Sequence, residues 1–323
     1  MNQLDVGMWA QQAEYVITKN PKQFDFAVAY AHPGATIIDG VALTHFLFGL
    51  PYSQAIIYFL SFADALIIAF MVVLCYQITP KTWWWMGTLA LFTVNYMNDF
   101  ATPTTAVSSL LVALLLLVTL RFRFWWWAIV AGLALATRVD IGLFIVGLGL
   151  YLSTRLSLQK VVLLAFGVFF VFCLVNPYMW YMPVQHLKDL LYKMTWHYTE
   201  FTPSFLSIYE VVLVSGLAIV SLFLAGGIIW QKKQVKLLIP LALFLSLIFV
   251  TVIGIGVIVT SSYQASRYLT PYVSIWELLL PLFLFTLAKQ TRHYRIVCII
   301  TTIFIAVSQT YLSIIDSNLM LGV

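Results

Sequence analysis

Charge is scarce in this chain: 9% of its 323 residues are Asp, Glu, Lys or Arg. A soluble domain carries about 25%. With 62% hydrophobic residues and a mean hydropathy of +0.96, an ordinary water-soluble fold is excluded. Cysteine is equally sparse. Cys75, Cys173 and Cys298 each sit inside an apolar run, with neither disulfide nor metal spacing, and read as small buried hydrophobes. Strict polar–apolar alternation is missing, which argues against a β-barrel. No Asn-x-Ser/Thr sequon occurs, and no His/Cys/Asp cluster has strong metal-ligand spacing. His186 and His197, in a stretch that also holds Asp189 and Glu200, come nearest to a metal pair. No internal repeat is visible, nor a matched pair of Gly/Pro-broken helices of the transporter kind. The net charge of +5 does not imply a nucleic-acid partner, because the basic residues mostly flank apolar runs.

Long continuous apolar runs are what the chain does have. A membrane crossing needs about 20 such residues. The runs predict an all-α, polytopic integral membrane protein of about ten transmembrane helices. They lie near 52–78, 83–98, 104–120, 124–137, 139–154, 161–176, 207–230, 237–260, 268–288 and 296–314. The pair 124–137 and 139–154 is short, is separated by Arg138, and reads as a bent pair that does not fully cross. An apolar stretch at 35–50, interrupted by Asp39, Gly40 and His45, reads as interfacial.

Sidedness follows from the basic residues. Lys81, Arg121, Arg123, Arg155, Lys160, Lys232, Lys233, Lys236, Lys289, Arg292 and Arg295 fall on one face. Lys19, Lys22, Arg138, Lys188, Lys193 and Arg267 fall on the other. The positive-inside rule makes the first face cytoplasmic, and the Trp83–Trp85 and Trp125–Trp127 triplets abut it as an aromatic belt. Asp5 is then extracytoplasmic, with no signal peptide or span before it, so a further N-terminal span is expected in the natural protein. The chain divides into a first outer loop with interfacial helices, 1–51, and a transmembrane bundle, 52–323, with an outer loop at 176–207. Residues 6–19 predict an amphipathic helix, with Trp9, Ala13, Val16 and Ile17 on one face and Gln11, Gln12 and Lys19 elsewhere, stopped by Pro21.

Most residues suited to chemistry gather on the outer face. Asp5 in Leu4-Asp5-Val6-Gly7-Met8-Trp9 fits a helix N-cap, and equally a general base at the membrane surface. His32-Pro33-Gly34 forms a rigid turn in which the histidine has either a local hydrogen-bonding or a binding role. Asp99 lies where a span emerges and caps the helix at Pro103 or joins a site. Arg138 and Asp140 flank a sharp reversal and pair with one another or serve a ligand. Arg267 and Tyr268 open a late span. The planar fork of Arg267 suits phosphate, and snorkelling is its structural alternative. Asp64 and Glu277 lie within spans, where carboxylates are costly and functional by default.

Four stretches carry a resemblance. Asp5-Val6-Gly7-Met8-Trp9 leads into Ala13-Glu14-Tyr15. His32-Pro33-Gly34 is followed by Leu47-Phe48-Gly49. Gly132-Leu133-Ala134-Leu135-Ala136-Thr137-Arg138 forms the turn between two short spans. Arg267-Tyr268-Leu269-Thr270-Pro271 opens a late span. In order and placement they resemble the polyprenyl-phosphate-sugar-dependent glycosyltransferases of the GT-C fold. The likeness is to bacterial relatives of protein O-mannosyltransferases and of the lipid A aminoarabinose transferase. Departures are visible. Thr102 stands where many members carry a second acid, with Asp99 three residues earlier; Val6 follows Asp5; Arg138 replaces a frequent Lys.

The resemblance implies a sugar transferred, with inversion, from a polyprenyl-phosphate donor to a hydroxyl of a lipid, glycan or protein acceptor. Transfer would occur on the extracytoplasmic face of the cell membrane. It implies Asp5 as general base, with His32, Asp99, Arg138, Arg267 and Tyr268 around the donor's sugar and phosphate; the sequence itself indicates no cofactor and leaves a divalent metal open. Two rivals stand beside it. One is a transporter or flippase for a lipid-linked glycan, using Asp64 and Glu277. The other is a non-catalytic membrane scaffold.

Overall fold

The computed structural model describes residues 3–18, 34–78, 103–120, 122–153 and 156–196, together with Ile296. Every regular element among the described residues is helical, and none is a strand. The helices are α1 (Gln3–Thr18), α2 (Ala35–Phe48), α3 (Tyr52–Ile78), α4 (Pro103–Leu120) and α5 (Phe124–Thr137). A 3-10 turn (Val139–Ile141) leads to α6 (Gly142–Ser153), α7 (Leu158–Val175), α8 (Pro177–Tyr181) and α9 (Pro183–Trp196). Two are long and apolar enough to cross a membrane: the Tyr52–Phe70 part of α3, and α7. The 14-residue α5 and the 12-residue α6 fall short of the roughly 20 residues a crossing takes. The stretches expected near 83–98, 207–230, 237–260, 268–288 and 296–314 lie outside the described residues, Ile296 excepted.

Helix α7 shows why these elements pack as they do. Leu164, Val168 and Phe172 recur every four residues and form its buried stripe. Phe166, Phe169, Phe170 and Leu174 point away from the protein, Phe166 being 68% exposed. Contiguous apolar surface of this kind marks a partner or a membrane rather than water. The buried stripe meets α5 in parallel, with Ala128 beside Gly167 and Gly132 beside Val168 and Val171. Small residues at this crossing let the two backbones approach closely, the usual basis of helix association in lipid.

Helix α4 packs between α3 and α5. Its hydroxyls bond inside the helix: Ser108 Oγ donates to the Thr104 carbonyl at 2.5 Å and Thr119 Oγ1 to the Leu115 carbonyl at 2.6 Å. Such back-bonding satisfies polar groups that have no water to meet. Trp127 Nε1 then donates to Thr119 Oγ1 at 3.0 Å and joins the end of α4 to the start of α5.

Helix α1 packs on α2 and α3 and buries Trp9, Ala10, Gln12 and Ala13, while Ile17 is exposed. The expected face therefore needs correcting at two positions. Gln12 is inside and Ile17 outside, because α1 lies against protein on more than one side. Helix α2 exposes Leu43, Phe46, Leu47 and Phe48. It ends at Gly49, which takes the left-handed conformation (φ 65°) and donates its N–H to the His45 carbonyl at 2.8 Å. The Leu47-Phe48-Gly49 stretch is thus a helix C-cap. The His45 imidazole donates from Nδ1 to the Leu50 carbonyl at 2.6 Å and stacks on Tyr52, fixing the corner into α3.

Candidate functional site

The reversal after α5 is the centre of the site. Thr137 is the last residue of α5; its hydroxyl donates to the Leu133 carbonyl and also bonds Thr36 Oγ1. Its carbonyl accepts from the Gly34 amide at 3.2 Å. Gly34 precedes α2 in the left-handed conformation (φ 61°), and the Trp9 indole lies directly over its Cα, where a side chain would otherwise stand. Trp9 belongs to α1, one turn beyond Asp5. The turn therefore gathers residues from three segments far apart in sequence: Trp9 of α1, Gly34 before α2, and Thr137 with Arg138.

Arg138 follows in extended conformation, its amide bonded to the Ala134 carbonyl at 3.0 Å. It is 1% exposed and heads the largest fully buried side chains. The break between the short helices α5 and α6 puts the side chain inside the protein. Burying a guanidinium costs several kcal/mol unless charge and hydrogen-bond partners compensate it. Asp140, the expected partner, has its backbone in the 3-10 turn.

Asp5 lies in the first turn of α1, inside the helix rather than capping it. Asp64 is half-buried on α3. His32, Asp99, Arg267, Tyr268 and Glu277 lie outside the described residues, as do His197, Glu200 and Cys298. Cys173 is a half-buried free thiol near the end of α7.

Two titratable groups near this end carried little weight in the sequence. Asp39, one turn along α2 from Ala35, is half-buried, and burial pushes its carboxyl up to about 7. The second is His186 on α9. Asn176 caps α8: its Oδ1 accepts from the Tyr178 amide at 3.1 Å. A backbone N–H can only donate, so the other amide atom is Nδ2, and it donates to His186 Nε2 at 3.0 Å. His186 is therefore neutral, with its proton on Nδ1. Its ring stacks on Tyr178 at 5.2 Å. Burial holds its pKa down to about 4 against an opposing pull from Asp189. Asp189 itself accepts from Gln185 at 2.7 Å. The metal pair imagined for His186 thus meets a nitrogen already engaged. Among the described residues no group of three His, Cys, Asp or Glu side chains is placed to hold a metal ion. The Asn176-Pro177 dipeptide, a helix-start signature, was the signal that could have located α8.

Helix α9 joins the same end through Leu190, which packs with Ala35 of α2, Ala136 of α5 and Phe172 of α7. The turn is therefore walled by α1, α2, α5, α7 and α9. Comparison with protein families, curated proteins and solved structures gave no match to this chain.

Proposed function

We propose that the chain is a membrane glycosyltransferase of the GT-C kind. It would move a sugar from a polyprenyl-phosphate donor to an acceptor hydroxyl of a lipid, glycan or protein at the extracytoplasmic face, with inversion. The observation that supports this most is the Gly34–Thr137 hydrogen bond beneath Trp9, because it joins three of the four stretches that carry the family resemblance. On this reading Asp5 takes the proton from the acceptor hydroxyl as that oxygen attacks the anomeric carbon. The bond to the phosphate oxygen breaks, and the polyprenyl phosphate leaves with the negative charge. Arg138 supplies positive charge near the leaving phosphate, a role for which low-dielectric surroundings strengthen a cation. His32, Asp99, Arg267 and Tyr268 complete the donor pocket. About ten helices, in a cell membrane, hold the assembly on this reading.

The test is transfer of radiolabel from polyprenyl-phosphate sugars in membranes carrying the full chain, wild type against Asp5→Asn. Loss of transfer with folding intact supports the reading. Equal transfer in both removes Asp5 from the chemistry. The rival transporter rests on Asp64 and Glu277, of which Asp64 is an acid within a helix able to cross a membrane.

A further inference from the structure

The surface of α8 and α9 has three sectors. His186 and Leu190, four residues apart, face the protein. Val184 and Leu187, three apart, are apolar and exposed, at 65% and 39%. Gln185 and Lys188, also three apart, are polar and exposed. A helix that only covered the protein in water would have two sectors, an apolar inner one and a polar outer one. The middle sector needs a third environment.

The neighbouring surface identifies that environment. Trp180 of α8 is exposed, yet its indole N–H already donates to the Cys173 carbonyl of α7 at 2.9 Å. Its ring is thereby held at the Cys173 end of α7, a helix that exposes Phe170 and Leu174 and is long and apolar enough to cross a membrane. The exposed apolar band of α7 thus runs on through Trp180 into the start of α9. Fourteen residues of helix span about 21 Å, less than the roughly 30 Å of a bilayer's hydrocarbon core. Helix α9 is too short to cross, and its polar sector needs water or headgroups.

We propose that α8 and α9 form an interfacial strap. On this assignment α9 lies in the headgroup layer at the Asn176 end of α7. Val184 and Leu187 reach the upper acyl chains, Trp180 sits at the boundary, and Lys188 reaches toward the lipid phosphates. The partner is the bilayer surface itself. An amphipathic helix with basic residues on its polar side binds such a surface by apolar burial and electrostatics together. The inference does not depend on sugar transfer and stands or falls separately from it.

Single-cysteine variants read it directly. Val184→Cys, Leu187→Cys and Gln185→Cys are made in the full chain with Cys75, Cys173 and Cys298 replaced by alanine. Each is labelled with an environment-sensitive nitrobenzoxadiazole probe. The proteins are placed in nanodiscs of phosphatidylcholine and phosphatidylglycerol, with or without lipid spin-labelled high on the acyl chain. Probes at 184 and 187 are expected to emit to the blue and lose most of their intensity to the spin label. The probe at 185 emits to the red and keeps its intensity. Red, unquenched emission at all three positions would place α9 in water and overturn the proposal. Blue but unquenched emission at 184 and 187 would mean that protein covers them, and overturns it equally. A second measurement needs no cysteine replacement. Benzoylphenylalanine at 184 is expected to give lipid adducts on irradiation and at 185 none, whereas protein adducts alone at 184 would contradict the strap.

Discussion

The Gly34 amide and the Thr137 carbonyl meet at 3.2 Å across more than a hundred residues of sequence. The bond joins the start of α2 to the end of α5 and fixes where Arg138 begins. Beside it the Thr36 hydroxyl hydrogen-bonds the Thr137 hydroxyl. Above it the Trp9 indole closes over Gly34 and ties in α1, the helix that carries Asp5.

Gly34 and Gly49 have nearly the same left-handed backbone but different surroundings. A side chain at Gly49 meets open space, so Gly49→Ala carries only conformational strain, about 1–2 kcal/mol. A side chain at Gly34 lands on the Trp9 ring, so Gly34→Ala adds overpacking of a further 1–3 kcal/mol, roughly. Thermal unfolding in nanodiscs should therefore rank Gly34→Ala well below Gly49→Ala. Adding Trp9→Leu should recover the overpacking part at Gly34 and nothing at Gly49. Equal losses at the two glycines would show that the indole does not seat there.

The α5–α7 crossing gives a second ranking. A Cβ at Gly132 would meet the Val171 side chain at 2.6 Å and the Val168 carbonyl oxygen at 2.8 Å. Backbone cannot swing aside as a side chain can, so Gly132→Ala should lose about 1–3 kcal/mol. At Gly167 the nearest atom is the Ala128 Cβ at 3.2 Å, a contact a small shift relieves. Gly167→Ala should cost clearly less in the same unfolding assay.

Much of this architecture was legible because lipid-scale apolar runs have simple edges. The expected stretch 52–78 coincides with α3, and 124–137 with α5. Helix α9 was not foreseen as a helix. Its residues are mixed in polarity and aromatic, which reads equally as a loop until its three environments are known. The burial of Gln12 and Arg138 was hidden for a related reason. Periodicity tells which residues share a face, but not whether that face meets lipid, water or another helix. Gly34 and Thr137 each stood out locally. Only the folded chain shows that they bond.

Two described groups outside the spans, of opposite sign, should make stability respond to pH. His186 has a lowered pKa, so its contribution is whole above about 6.5 and is lost as pH falls toward about 4; the full effect is about 3 kcal/mol. Asp39 has a raised pKa, so its contribution is whole below 3.8 and is lost as pH rises toward about 7. Between about pH 4 and 6.5 the two slopes oppose one another, and the wild type should show a shallow profile. Asp39→Asn removes one slope, so its thermal midpoint should fall steeply on acidification. His186→Gln in that background should flatten the profile again. An Asp39→Asn profile as shallow as wild type would mean that His186 is not held neutral by Asn176 and its burial.

Arg138 separates the enzyme from the transporter most sharply, because its charge and its shape can be tested apart. Arg138→Lys keeps the charge but loses the planar fork that holds phosphate oxygens in two places. If Arg138 holds the donor phosphate, this change should raise KM for the donor more than it lowers kcat. Arg138→Met should reduce transfer further and also lower the unfolding temperature, since removing one member of a buried interaction leaves its partner uncompensated. Asp5→Asn should instead lower kcat, by about 10²–10⁴-fold for loss of a general base, with donor KM unmoved. Asp64→Asn, on a different part of the bundle, should leave both constants alone. The reverse pattern, with translocation of a labelled lipid-linked glycan abolished by Asp64→Asn and untouched by Asp5→Asn and Arg138→Lys, would transfer the function to the intramembrane acid. It would also leave the turn at Thr137 a purely structural clasp.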